Sequence, residues 1–396
     1  MADTLKRRLG PGLLTAYGVG VMVGAGIYVL TGAVAAEAGV WAPLSFLIAG
    51  LIAAPTALSY AELSGRIPEA AGEAAYVEKG LNSHAFSLLV GLAIVVTGTI
   101  SAAAVLRGGV GYLGGIIDID PTLAIIAIGA ALTFVAILGA LESLTLAAIF
   151  TVIEIAGLVM IIWAGSGAEP VPGYSNPAPI HTAGLAAGAI LAFFAFIGFE
   201  DIVNMAEEAH HPERTLPIAI IASLLITTGL YALVSWAAIR AVPVEALAAS
   251  EQPLALVWQE TQGGAARFLS GIAVFAALNG VLAQIVMASR VMFGLGRREP
   301  ALAVFHHTLP RTGAPWLATV LIGGAVVLGA VALPVAQLAE LTSTVLLAVF
   351  TLINLALIRL KRRAPDAPFR VPMAVPVLGL ILSLGAFLMT IGESFS

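Results

Sequence analysis

Residues 18–32 read GVGVMVGAGIYVLTG, an apolar run interrupted by glycine at positions 18, 20, 24 and 26. Each glycine inside a helix costs about 1 kcal/mol relative to alanine, so this is the weakest part of the apolar run from 11 to 36. That run is long enough to cross a bilayer, which takes about 20 mostly apolar residues. A second interrupted stretch, FFAFIGFED at 193–201, sets Gly198 beside Glu200 and Asp201 inside another apolar run. Where a helix unwinds in hydrocarbon, lipid cannot bond its freed N–H and C=O groups, which must face protein, water, ion or ligand. Two glycine-softened segments, one in each half of the chain, point to a binding site between them at mid-depth. Two other readings of the first segment compete with this one. Gly20-x-x-x-Gly24 is also a helix-packing motif, and Gly18-x-Gly20 would suit a dinucleotide loop only if a strand preceded it.

The rest of the chain fits a membrane setting. Of 396 residues, 60% are hydrophobic and 10% charged, with a mean hydropathy of +1.02; a soluble domain carries about a quarter charged residues. Eleven stretches have spanning length and polarity: 11–36, 40–64, 83–113, 121–140, 142–165, 181–205, 213–240, 264–294, 315–333, 335–361 and 373–393. With the N-terminus inside, 15 of the 18 Lys and Arg residues fall on the inner side, including Lys6, Arg7, Arg8, Arg66, Lys79, Arg298, Arg311 and Lys361. Only Arg107, Arg240 and Arg267 fall outside, as the positive-inside rule requires. The basic start followed by an apolar run is like a signal peptide, but the run is too long and has no cleavage site, so it reads as a retained span. The expected fold is an all-α polytopic membrane protein forming a single domain over 1–396. The outer segment Val244 to Gln262 is expected to form a helix lying on the membrane.

Several function classes drop out. The absence of cysteine excludes disulfides, thiolate zinc sites and cysteine nucleophiles. No basic face or phosphate loop suits nucleic acid or nucleotide, and no HExxH or GxSxG motif suggests an enzyme. His210-His211 and His306-His307 lack a third ligand at helical spacing and read as loop residues, as do Glu207 and Glu208.

Four motifs carry a resemblance. GAGIYVLTG at 24–32, YAELSGRIPEAAGEAAYVEKG at 60–80, FFAFIGFEDIVNMAEEAHHPERTLPIAI at 193–220 and ALNGVLAQIVMASRVMFGLGRRE at 277–299 occur in this order. With them the chain resembles the bacterial amino acid permeases of the amino acid–polyamine–organocation (APC) superfamily, over nearly its whole length. The resemblance implies a five-plus-five inverted repeat, about 11–165 and 181–361, with helices 1 and 6 discontinuous and an extra helix at about 373–393. Many relatives have a twelfth span, which is not seen here. It further implies a secondary active amino acid transporter in the bacterial inner membrane working by alternating access; loop charge sets the N-terminus in the cytoplasm, and the buried acid Glu154 favours proton-coupled uptake. Amino acid exchange is the alternative, and a transporter-like nutrient sensor a more distant one. The partners implied are an amino acid and the lipid bilayer, with no obligatory protein partner. No cofactor is expected; the proton is the coupling ion, with sodium left open.

The same resemblance places the site. A half-helix N-terminus offers free N–H donors and partial positive charge to a carboxylate; the donors would be the amides of Ala25 and Gly26, with Gly24 allowing close approach. The substrate ammonium would meet carbonyls of Met22, Phe194 and Ile197 around Gly198. Phe194, Phe196 and Phe199 would border the side-chain pocket, with Thr97 and Ser101 from the third span, although an aromatic cluster also reads as core. No fixed charge faces this pocket, which favours a neutral substrate. Glu154 stands near the middle of span five, in TVIEIAGLVMIIWAG, where burying a charge costs about 2.5–3.5 kcal/mol. Several relatives carry lysine there, in the place of a bound sodium ion. The acid is expected to take up and release a proton during transport; the alternative is a neutral acid bonded to a neighbouring helix. Glu200 would link occupancy to gating or cap exposed amides, Asp201 would face another side, and Asn279 would serve as a polar partner.

Overall fold

The computed structural model describes residues 9–69, 72–138, 143–264, 266–309 and 314–394. Lys6, Arg7, Arg8 and Arg311 of the charge count lie outside them, as do the side chains of Glu207 and Glu208.

The described residues form helices and no strand. In order they are α1 (Pro11–Ala38), α2 (Ala42–Arg66), α3 (Gly72–Leu81), α4 (His84–Gly114), α5 (Pro121–Leu138), α6 (Ser143–Gly167), α7 (Pro172–Ser175), α8 (Thr182–Phe194), α9 (Pro212–Ala241), α10 (Val244–Ala249), α11 (Pro253–Gln262), α12 (Arg267–Arg298), α13 (Trp316–Ala332), α14 (Val335–Arg363) and α15 (Ala374–Ser394). Every apolar stretch expected from the sequence is helical over most of its length. Eight helical runs are long and apolar enough to cross a membrane; Pro11–Gly24, Thr182–Phe194 and Trp316–Ala332 are shorter apolar helices.

Local chemistry sets many of the boundaries. Pro11 and Pro212 open α1 and α9 in the first turn, where the missing N–H costs nothing and the fixed φ suits a helix. The Ser83 hydroxyl caps α4 by accepting the Phe86 amide, and His181 Nδ1 accepts the Gly184 amide at the start of α8. Gly39, at φ 60°, ends α1 and turns the chain into α2.

Polarity is arranged inside out relative to a soluble protein. Leu51, Leu123, Phe134, Val152, Trp163, Leu225, Leu328 and Ile381 are exposed, whereas Glu62, Glu154, Glu200, Asp201, Asn279, Gln284 and Asn354 are buried. Apolar groups outside and satisfied polar groups inside are what a lipid solvent selects. Small residues bring helices together where hydrophobicity supplies no drive. Gly129 of α5 meets Val327 of α13, and Gly323 of α13 meets Thr133 of α5.

At the end of the bundle that carries the N-terminus, a buried ionic clamp joins α2 to α14. The Glu62 carboxylate, fully buried, accepts from Arg66 Nε and Nη2 at 2.9 and 2.6 Å and from Lys361 Nζ at 2.6 and 2.9 Å. The Val371 amide adds a further bond at 2.8 Å.

One expectation fails. Val244 to Gln262 is not a single helix on the membrane surface: it forms α10 and α11, separated at Ser250–Gln252, and it packs inward. Leu247, Leu254 and Val257 are buried, and the Leu247 carbonyl lies against Gly32 of α1. The amphipathic pattern is the same for a helix on lipid and for one docked on protein; the close approach at Gly32 decides for docking.

Candidate functional site

Both glycine-softened segments are broken. Gly24 (φ −14°, ψ −162°) leaves helical geometry inside α1, so the second half of α1 has its own N-terminus at Ala25 and Gly26. The first amides of such a half-helix lack intrahelical acceptors. In the sixth span, α8 ends at Phe194 and residues 195–199 form turns, with Gly198 at φ 127°, before a 3-10 helix runs from Glu200 to Glu208.

The two breaks lie directly against each other. A Cβ on Gly198 would sit 2.8 Å from Val21 Cγ1 and 3.2 Å from the Met22 nitrogen; one on Gly26 would sit 3.4 Å from Ala195 Cα. Gly24 is different. It is buried, yet outside the backbone of its own helix no described atom lies within 4 Å of where its Cβ would be. The space beside the first break is therefore internal and open, at the place where a ligand carboxylate could approach the amides of Ala25 and Gly26.

Tyr231 of α9, which the sequence reading missed, joins the breaks. Its hydroxyl lies 2.5 Å from the Met22 carbonyl and 2.9 Å from the Ala195 carbonyl. One phenolic proton serves only one of them at a time. Tyr231 also continues a polar face of α9 at Ser223, Thr227 and Ser235, all buried, with Ser223 bonded to the Thr15 carbonyl; that four-residue spacing was its only signal. Tyr231→Phe is expected to lower the stability of the ligand-free protein by about 1–3 kcal/mol, the cost of leaving a buried carbonyl without its donor. Thermal unfolding in detergent measures this, and an unchanged midpoint would mean both carbonyls find other donors.

The predicted side-chain pocket is only partly assembled. Phe194 is buried beside the break. Phe196 packs edge-on to Tyr231 at 5.2 Å and towards Gly50 of α2. Phe199 lies between Tyr60 and Phe350, at 5.8 and 5.4 Å. Those two rings are packing residues in this arrangement. Thr97 and Ser101 are buried on α4, flanking Gly98, which meets Gln284 of α12; the Thr97 hydroxyl is donated to the Ala93 carbonyl at 2.7 Å. Met22 and Phe194 carbonyls already accept, from Tyr231 and from the Ile197 amide respectively, each keeping a second lone pair for a ligand.

Glu154 sits at the level of the first break. One turn earlier on α6, Thr151 meets Gly20, and on the other side of the break the Tyr28 hydroxyl donates to the Glu154 backbone carbonyl at 3.2 Å. The side chain is fully buried; Oε1 accepts from Asn279 Nδ2 at 3.3 Å, and Oε2 has no protein partner. The structure thus brings Glu154 and Asn279 together. Glu200 Oε2 accepts the Gly198 amide at 3.0 Å, holding the second break. Asp201 Oδ2 accepts from Gln284 Nε2 at 2.7 Å, so the neighbouring acids do point to different partners, although both are buried.

Comparison with known proteins agrees with this architecture. The Amino acid permease family matches residues 12–394. The branched-chain amino acid permease BcaP of Bacillus subtilis is 30% identical, covering 97% of this chain and 88% of its own length. The vacuolar cationic amino acid transporter 4 of Arabidopsis thaliana is 32% identical over 91% of this chain, which spans 64% of that longer protein. The methylthioribose transporter of B. subtilis is 29% identical, over 96% and 87% of the two chains. A solved structure of a Na+-coupled sialic acid symporter, substrate-bound and outward-open, superposes with a TM-score of 0.62 over 98% of this chain and 90% of that one. At 13% identity that likeness is one of fold alone. A family match over almost the full length, with helices broken face to face, leads to one conclusion: the chain belongs to the amino acid permease family, and is a multi-pass membrane transporter rather than an enzyme.

Proposed function

We propose that the protein takes up a free neutral amino acid by alternating access, drawing on the proton gradient through Glu154. The observation that carries this reading is the placement of Glu154: a buried acid level with the α1 break, held by one neutral amide and leaving Oε2 unengaged. An acid in that position can change charge as the cavity opens and closes, and Asn279 can accommodate either form by turning its amide. The backbone at Ala25, Gly26, Met22 and Ile197 recognises the carboxylate and ammonium common to all amino acids. The side-chain end is bordered by Phe194, Thr97 and Ser101. The nearby acids Glu200 and Asp201 are engaged by Gly198 and Gln284, which supports an uncharged substrate such as a branched-chain amino acid.

The two halves fall into a five-plus-five inverted repeat, with α1, α2, α4, α5 and α6 followed by α8, α9, α12, α13 and α14. The short inserted helices support this reading: α3 follows the second span of the first half, and α10 with α11 follow the second span of the other. The charge distribution supports a cytoplasmic N-terminus in a bacterial inner membrane.

Reconstituted vesicles test the proposal. Uptake of radiolabelled leucine without internal substrate, accelerated by an acidic exterior in sodium-free buffer, is the expected result. Uptake that needs internal amino acid would instead establish exchange, and a sodium requirement would replace the proton as the driving ion. Glu154→Gln is expected to abolish the response to external pH while leucine still raises the unfolding temperature by mass action. An unchanged pH response in that variant overturns the assignment of Glu154.

A further inference from the structure

A second polar cluster lies beyond the second break, where α3 packs on the C-terminal end of the sixth span. Gly72 lies so close to the 3-10 helix Glu200–Glu208 that a Cβ there would come within 2.8 Å of Val203 Cγ2 and 3.0 Å of Asn204 Oδ1. The next residue, Glu73, is 2% exposed. Tyr76 of α3 and Tyr60 of α2 stand edge to face at 6.3 Å, and Tyr60 contacts Phe199 just before the 3-10 helix. Five buried polar atoms here have no partner among the described residues: the hydroxyls of Tyr60 and Tyr76, Glu73 Oε1, and both Oδ1 and Nδ2 of Asn204. Each such atom costs on the order of 1–3 kcal/mol, and native proteins keep few of them. A cluster of five is therefore more than packing.

The contrast with Glu62 is informative. That acid, on the helix just before, is neutralised by Arg66 and Lys361, and Arg298 is committed to Glu69 and Glu78. The titratable groups facing Glu73 are Tyr60 from α2, Tyr76 from its own helix, and Asp201 and Glu200 from the 3-10 helix. Around them α4 contributes Ser87, donated to the Ala74 carbonyl, and α14 contributes Phe350 and Ala356. Arg290 of α12 reaches Met205 Sδ at 3.7 Å.

We propose that Glu73 is a proton-binding site at the inner gate, holding α3 against the sixth span as the neutral acid and freeing it when the proton passes to cytoplasmic water. The proposal rests on the transport reading only for what the gate does, and not on Glu154. Burial pushes the Glu73 carboxyl up to about 8; the Asp201 carboxylate pushes the same way, while a backbone hydrogen bond holds it back. When hydrated in an opened gate the carboxyl returns to its ordinary 4.5. Between those values the closed state binds more protons than the open one. Rising pH therefore favours opening by up to about tenfold per unit in that window, and has no further effect above or below it.

The chain has no cysteine, so a single Val203→Cys in the full-length, detergent-solubilised protein reports on the gate through its rate of labelling by N-ethylmaleimide. That rate, divided by the rate in the same protein with Glu73→Gln, cancels the thiol's own pH dependence. The ratio is expected to rise on the order of tenfold or more between pH 5 and 8 and then level off. A ratio constant from pH 5 to 9 overturns the proposal. Should Glu73→Gln not fold, Asp201→Asn serves instead: loss of the neighbouring carboxylate carries the plateau to lower pH, and an unmoved plateau counts against Glu73. Glu154→Gln leaves this profile intact, so the gate and the uphill coupling succeed or fail separately.

Discussion

Glu62→Ala is expected to destabilise the protein by about 3–5 kcal/mol, the cost of leaving buried cations without their counter-ion. The side chains of Glu62, Arg66 and Lys361 are 0%, 6% and 8% exposed, so screening by solvent is slight. The alanine variant would strand two positive charges at the end of α2 and α14. It would also release the 364–371 connection, which Glu62 holds through the Val371 amide and Arg66 holds through the carbonyls of Ala364 and Asp366. Unfolding midpoints in detergent measure the loss. Adding Lys361→Met to Glu62→Ala should recover part of it, because one stranded charge is then gone. If the double variant is no more stable than Glu62→Ala, the clamp contributes through packing rather than charge.

Gly198→Ala is expected to abolish uptake while most of the helical content survives. The backbone at φ 127° is one that L side chains rarely adopt, and the strain costs about 1–3 kcal/mol. In addition, the new methyl would meet Val21 Cγ1 at 2.8 Å and the Met22 nitrogen at 3.2 Å. Relief requires the sixth-span break to move away from the first, which pulls apart the carbonyls of Met22 and Ala195 that Tyr231 spans. Leucine binding by thermal shift should be lost along with transport. Gly24→Ala is the control: nothing non-local crowds that position, so its effect falls on ligand approach and less on the fold. Wild-type uptake by Gly198→Ala would mean that the contact between the breaks is incidental.

Which parts were legible in the sequence follows from how each feature is encoded. The breaks at Gly24 and Gly198 announce themselves because glycine in an apolar run is anomalous in a short window. Glu154 is legible for the same reason: one acid stands out against a lipid-compatible background. Tyr231 is hidden, because a tyrosine in a spanning segment is ordinary and its role depends on two carbonyls from distant parts of the chain. Glu73 is hidden differently, since GEAAYVEKG reads as a solvated loop until Gly72 is seen pressed against Asn204. Phe196 and Phe199 carry the right composition for a pocket, but the turn at 195–199 aims them into the core between α2, α9 and α14. Periodicity cannot foresee that direction once the helix has ended.

The helices on the outside of the bundle have a consequence for the choice of lipid. α13, joined to α5 through Gly129 and Gly323, is 17 residues long, about 26 Å at 1.5 Å per residue. The central α4 and α12 run to 31 and 32 residues and have length to spare. Hydrophobic thickness at this rim is thus a few ångströms below the roughly 30 Å of an average bilayer. Membranes with shorter acyl chains match this rim without deformation, whereas thicker ones must thin locally around it.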